Sequence, residues 1–316
     1  MKTTKRSGTP VAVLFAVCGL CVATGPAQAL TIVPTFGSSV SASQQAAIDN
    51  AIGFYQQSFT DPISVNIDFS VASGVTYAGK SESTFGVYSY RAYSNALASD
   101  AATNGNSIEQ TAYNNLPYGN TAGYIAATSS NLRALGCATC AGQLTASGTS
   151  GGSFDGTISI NSSDFGMSVI QHEIDEVLGI GGSGSVLNTV PTHGQSYIQP
   201  LDLFRYAGAH TPSFTTSGTA TSYFSIDGGV TNIVDFNQNS KGDYGDWASS
   251  PCHVQSWQLC SNSQSISLSS PEGIALQAIG YDAVTPVPLP GSLILLTSGL
   301  IGIGMIRRHG VPAPSA

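Results

Sequence analysis

The chain has 316 residues, of which 9% are charged, with 10 Lys+Arg against 18 Asp+Glu and a net charge of −8 at neutral pH. That balance excludes a surface built for nucleic acid or anionic lipid, since both partners are polyanions. Small polar residues are abundant, but aromatic and β-branched residues are spread among them, which argues for a packed domain rather than a disordered chain.

Residues 1–29 carry the pattern of a secretory signal peptide. Lys2, Lys5 and Arg6 form a basic start, 11–23 an apolar run, and Ala27-Gln28-Ala29 a small-x-small cleavage signal. The run falls short of the ~20 apolar residues of a spanning helix. The domain expected over 30–286 keeps Lys80, Arg91, Arg133, Arg205 and Lys241 as its only fixed cations, against all 18 acids of the chain. Such a surface suits cation binding and solubility outside the cell.

Helical spacing of Ala46, Ile48, Ile52 and Tyr55 predicts a helix over 42–59, capped by Ser41 or Ser43. Alternation over 63–71 predicts a strand. Helices are expected over 88–102 and 107–116. The Gly/Ser/Thr-rich stretch 134–153 carries Cys137-Ala138-Thr139-Cys140. A second strand is expected over 156–161, followed by the most regular helix of the chain, 165–180. Ser162 or Ser163 offers a cap, Asp164 suits the positive end of the dipole, and Gly181-Gly182 offers a stop. Short alternating segments at 223–226 and 232–236 and a helix over 272–279 complete the pattern. Helices and strands in front of an irregular back half predict a single α+β domain.

After removal of the signal peptide, Cys137, Cys140, Cys252 and Cys260 remain, an even number that suits two disulfides in an oxidising compartment. Local pairing, 137–140 and 252–260, is the simplest of three connectivities. A redox Cys-x-x-Cys and a zinc site made from both pairs are the alternatives.

The chemistry concentrates in His172-Glu173-Ile174-Asp175-Glu176, inside the helix at 165–180. Positions i and i+4 share a helix face, so His172 and Glu176 can reach one metal ion, zinc first among the options. Glu173 points about 100° round the helix, where it can serve as the base for a water molecule. This is the geometry of the HExxH helix with Glu in place of the second His. The alternative is a solvated acidic face, but charged side chains inside an apolar helix are costly without a partner.

Four blocks occur in order: His172 to Gly179 (HEIDEVLG), Asp202 to Tyr206 (DLFRY), Tyr223 to Gly229 (YFSIDGG) and Gly242 to Ala248 (GDYGDWA). Together they resemble exported bacterial zincin-like metalloproteases of an HExxE type, over most of residues 40–283. The resemblance implies a metzincin-related domain, its active-site helix packed on a mixed sheet. It also implies a zinc-dependent endopeptidase acting on protein or peptide substrates, with Glu173 catalytic. Gly179 matches the glycine of the metzincin helix, while Glu176 and Gly182 stand where metzincins have their second and third histidines. Candidates for the third ligand are His193, Asp202, His210 and Asp246. Asp202 is favoured, as a carboxylate that returns just after the helix, giving a metal set of His172, Glu176 and Asp202. Its alternative is an ion pair with Arg205. A non-catalytic envelope or matrix protein, using the fold for adhesion or scaffolding, is the other function to weigh.

A second cation, Ca2+, is suggested by Asp235, Asn237, Asn239, Asp243 and Asp246, spaced like a calcium loop but with Ser240 in place of the turn glycine. The alternative is a series of Asx turns. Trp247 and Trp257 belong either to a cleft wall or to the core. At the C-terminus, Val287-Pro288-Leu289-Pro290, the apolar stretch 291–306 and Arg307-Arg308-His309 form a tail over 287–309, with 310–316 beyond it. This resembles a PEP-CTERM sorting tail, with Pro-Leu-Pro standing for Pro-Glu-Pro. The resemblance implies membrane insertion through the tail and an exosortase-type processing enzyme as partner.

Overall fold

Hydrophobic periodicity becomes six helices and a mixed sheet in the computed structural model, which describes residues 29–104, 106–116, 123–136, 144–145, 154–182, 197–260 and 264–284. Residues 1–28 of the expected signal peptide, the 137–140 cysteine pair, His193 and the tail over 287–309 lie outside the described residues. Among the described residues, no helix is long and apolar enough to cross a membrane.

The chain runs β1 (Thr31–Phe36), α1 (Ala42–Ser58), β2 (Ser64–Ala72), β3 (Gly79–Ser89), α2 (Tyr90–Asn104), α3 (Ser107–Asn114), β4 (Tyr124–Thr128) and α4 (Ser129–Ala134). It continues with β5 (Leu144–Thr145), β6 (Gly156–Asn161), α5 (Met167–Leu178), β7 (Tyr197–Ile198), a 3-10 turn (Pro200–Phe204) and β8 (Arg205–Gly208). The short strands β9 (Thr211–Pro212), β10 (Tyr223–Phe224) and β11 (Val234–Asp235) and the helix α6 (Pro271–Ala278) follow.

The larger sheet has the order β1-β2-β6-β3-β4-β7, with β5 beside β3. β1, β2 and β6 are parallel, β3 runs antiparallel to both β6 and β4, and β7 is parallel to β4. A smaller antiparallel sheet, β11-β10-β8-β9, forms the back half. The architecture is α+β with a mixed sheet. Ile48, Ile52 and Tyr55 of α1, Ile67 and Phe69 of β2, Ile158 and Ile160 of β6, and Ile170, Ile174, Val177 and Leu178 of α5 are all buried in one core. Each such side chain removed from water contributes on the order of 1.5–3 kcal/mol.

Local signals explain most element ends. Ser41 caps α1 in a capping box with Gln44. The start of α5 differs from expectation: Gly166 occupies the cap with no side-chain bond. The Asn161 side chain accepts from Ser163 N at 3.2 Å, which folds 161–164 into a turn and delays the helix. The helix also stops earlier than Gly181-Gly182, at Gly179, which takes a left-handed φ of 112°. β1 and β3 carry weak sequence signals for physical reasons. Pro34 is tolerated because β1 is an edge strand. In β3, Ser81 and Ser83 hydrogen-bond to α5 instead of packing as apolar side chains.

Arg133 and Asp155 form a largely buried pair that joins α4 to the start of β6. Arg133 Nη1 and Nη2 each donate to an Asp155 carboxylate oxygen at 2.8 Å, and Nη2 also reaches Ser64 O at 2.8 Å. Asp155 Oδ2 accepts Asn66 N at 2.8 Å as well. Truncation of one partner strands the other charge, so Arg133→Ala is expected to lower unfolding free energy by about 3–5 kcal/mol. Urea denaturation checks this, through a lower midpoint at unchanged m-value.

Candidate metal centre

α5 presents His172 and Glu176 one turn apart, and the third side chain at the same point is Asp246, from the irregular segment after β11. These three residues form a group able to hold a metal ion, with ligand atoms all within 4.8 Å of one another. His172 Nε2 lies 3.4 Å from Glu176 Oε1 and 3.7 Å from Asp246 Oδ2. Bonds of about 2.0–2.1 Å to a tetrahedral ion set ligands about 3.3–3.4 Å apart, so the spacing fits zinc with little adjustment.

Each ligand is oriented from behind. His172 Nδ1 lies 3.0 Å from Val254 O. A carbonyl only accepts, so Nδ1 carries a proton, and Nε2 is the ring atom that points at the two carboxylates. Ser81 Oγ of β3 donates to Glu176 Oε2, leaving Oε1 for the centre. Asp246 Oδ1 accepts Gly182 N at 2.7 Å and Gln255 Nε2 at 3.0 Å, which leaves Oδ2 facing His172. Behind Asp246, Trp247 is wholly buried, stacked on Phe224 at 5.6 Å and against Phe236 at 5.0 Å. Trp247 is thus a core residue that anchors the segment carrying Asp246, while Trp257 lines the cleft.

Glu173 stands beside the ligands in a cleft of about 510 Å³ that also contains Gly79, Ser81, His172, Glu176 and Asp246. The residue is only 4% exposed, and among the described residues its Oε2 has no hydrogen-bond partner. Burial, then the neighbouring Glu176, hold its carboxyl well above the usual range, against the pull of His172. Burial raises Asp246 to about 7, opposed by His172 and reinforced by Glu176. Burial disfavours the His172 imidazolium, but Asp246 and Glu176 outweigh it and raise that group well above 6.5. A buried cluster of this sign and donor set could hold a divalent cation.

Gly79 is required by close approach. A Cβ there would fall onto the Glu173 carboxyl group, 2.7 Å from its carboxyl carbon. Gly79→Ala is therefore expected to turn Glu173 out of place and to lower any Glu173-dependent rate at least tenfold, while thermal stability changes little. Activity and melting temperature measured together check it.

Asp202 lies outside this cluster. It is buried at the 3-10 turn, where its Oδ2 accepts Gln199 N at 2.9 Å and its Oδ1 lies 3.5 Å from Arg205 Nη1. Arg205 has no exposed surface and must have a counter-charge, so the carboxylate faces it rather than α5. His210 also lies elsewhere, at a left-handed φ of 55° next to Gly228. The calcium-like spacing over 235–246 builds turns instead of a ligand shell. Asn237 Oδ1 accepts Asn239 N at 2.8 Å, Asn239 Oδ1 accepts Lys241 N at 3.0 Å, Asp235 pairs with Asn232 at 2.8 Å, and Asp246 faces His172. Cys252 and Cys260 pair as a disulfide beside the cleft segment, with Cα atoms 6.1 Å apart. The supporting groups Ser81, Val254 and Gln255 had no motif of their own; the only hint was the polar alternation of Ser81 and Ser83 in β3.

No family model, curated protein or solved structure matches this chain.

Proposed function

We propose that this chain is an exported zinc-dependent endopeptidase of zincin-like architecture, with His172, Glu176 and Asp246 as ligands and Glu173 as general base. The observation that carries the reading is the convergence of one imidazole and two carboxylates on a single point, beside a buried carboxyl group with an unpartnered oxygen. A zinc ion bound there supplies a Lewis acid for a scissile carbonyl and lowers the pKa of water.

The chain's own groups do the rest. Among the described residues no donor competes for Glu173 Oε2, so it is free to accept a proton from water and deliver it to the leaving amine. The Val254 carbonyl fixes the His172 tautomer, and Gly182 and Gln255 fix Asp246, so little reorganisation is needed on metal loading. β4 pairs with β3 only from Phe85 onward, so the Gly79–Thr84 half of β3 has β6 and β5 on one side and no strand partner on the other among the described residues. An extended peptide laid along that edge would pass the metal centre, which supports a polypeptide substrate.

The basic start, apolar run and Ala27-Gln28-Ala29 support export, and the 287–309 pattern supports membrane insertion and processing by an exosortase-type enzyme. The experiment is metal analysis and casein cleavage by the purified protein. Stoichiometric zinc with cleavage that disappears on chelation and returns with zinc is expected. Absence of both zinc and cleavage selects a non-catalytic envelope protein instead.

A further inference from the structure

A second group of acids lies away from the α5 cleft, where α2, α3 and the segment after α6 meet. Asp100, Glu109 and Asp282 each offer a carboxylate oxygen, all within 4.8 Å of one another. Asp61, between α1 and β2, joins them, its Oδ2 accepting Asp282 N at 3.1 Å. Asp61 and Glu109 have no exposed surface. Among the described residues, no N–H or hydroxyl donor reaches either Glu109 oxygen or Asp61 Oδ1, and the Glu109 side chain meets the Asp100 carboxyl group.

The four residues sit on four chain segments held together by other bonds. Thr60 N donates to Asp282 O at 2.8 Å, and the Asn106 side chain caps α3 while donating to Tyr281 O at 3.4 Å. The acids are therefore pressed together by the fold and cannot simply turn apart. Burial, then Asp282, push Asp61 up to about 8, and burial, then Asp100, push Glu109 up to about 9. Asp282 and Asp100 act on both as like charges, and Asp61 acts on Glu109 in the same sense. Sharing trapped protons is one way to relieve this repulsion, and a cation is the other.

We propose that Asp100, Glu109 and Asp282, with Asp61 beside them, bind one Ca2+ ion that ties α2 and α3 to the segments that follow α1 and α6. The donor set is oxygen alone, without nitrogen or sulfur, which separates it from the His172 centre. Ca2+ accepts many oxygens in irregular geometry, whereas Mg2+ demands a near-ideal octahedron, so a packed carboxylate cluster favours Ca2+.

The test uses the purified full chain stripped with EGTA and titrated with Ca2+ by calorimetry, with melting temperature as a second readout. One Ca2+ per chain is expected, with a rise of about 5 °C or more at a hundredfold excess over the dissociation constant. A Glu176→Gln/Asp246→Asn variant, which lacks the α5 centre, should keep that Ca2+. Glu109→Gln should lose it and Asp61→Asn should weaken it, and in EGTA Glu109→Gln should melt no lower than the wild type, because the amide is neutral without a trapped proton. No uptake by the wild type at about 10 mM Ca2+, beyond the range of extracellular calcium modules, overturns the proposal. Unchanged affinity in both Glu109→Gln and Asp61→Asn overturns it too, as does loss of the ion in the α5 double variant with both of them unaffected.

Discussion

Replacing Glu173 by Gln is expected to lower kcat for casein about 10³-fold, within the range that a positioned general base contributes, while zinc content stays at one per chain. The carboxyl group sits in a cavity that Gly79 leaves open, and Gln fills the same volume without a basic oxygen to take the proton. His172, Glu176 and Asp246 remain in place, so the metal and the fold should be unaffected. The melting temperature and metal stoichiometry of the variant separate loss of the base from loss of structure. Cleavage at the wild-type rate with zinc still bound would remove Glu173 from the mechanism.

The second large effect distinguishes two aspartates that look alike in the sequence. Asp246→Ala is expected to weaken zinc binding by more than the ~100-fold that follows from losing a ligand's own hydrogen-bond partner, because a ligand itself is gone. Asp202→Ala is expected to leave zinc affinity unchanged and to cost about 3–5 kcal/mol of stability, since it strands the buried Arg205 guanidinium. That group donates to Tyr244 O at 2.7 Å and lies 3.9 Å over the Phe236 ring, but Asp202 is the carboxylate beside it. Burial already pulls the Arg205 pKa down to about 10 despite Asp202, which shows how costly the charge is there. Equilibrium dialysis against zinc and urea denaturation, run on both variants, give opposite patterns. If Asp202→Ala lost the metal and Asp246→Ala kept it, the ligand set drawn from the structure would be replaced by the one that sequence order suggested.

What was legible in the chain followed from short-range periodicity. The apolar stripe of α5 and the i, i+4 spacing of His172 and Glu176 are properties of a single helix, and β6 and α6 were likewise apparent in short windows. The strands that escaped notice were those whose pattern answers to something distant. β3 is polar because Ser81 and Ser83 bond to α5, and β4 (Tyr124–Thr128) runs straight into α4, so no alternation or turn marks its end.

The third ligand shows the same boundary more sharply. Proximity to the helix favoured Asp202, and Asp246 was one of several alternatives within a turn-rich stretch. Little local marks Asp246 beyond its neighbour Trp247, because what aims it is the amide of Gly182 and the side chain of Gln255, which come from other parts of the chain. The cluster of Asp61, Asp100, Glu109 and Asp282 is likewise invisible along the chain, since its members approach only when α2, α3 and the ends of the domain pack.

The sequence by itself therefore determined α1, α2, α3, α5 and α6, the serine cap of α1 and the pairing of an imidazole with a carboxylate on one helical face, since each depends on neighbours within a few residues, while α4 and the ends of α5 were not read from it. Tertiary structure alone decided which carboxylate completes the centre and which one neutralises Arg205. Those choices rest on where buried charges find compensation, and burial is a property of the whole packed chain.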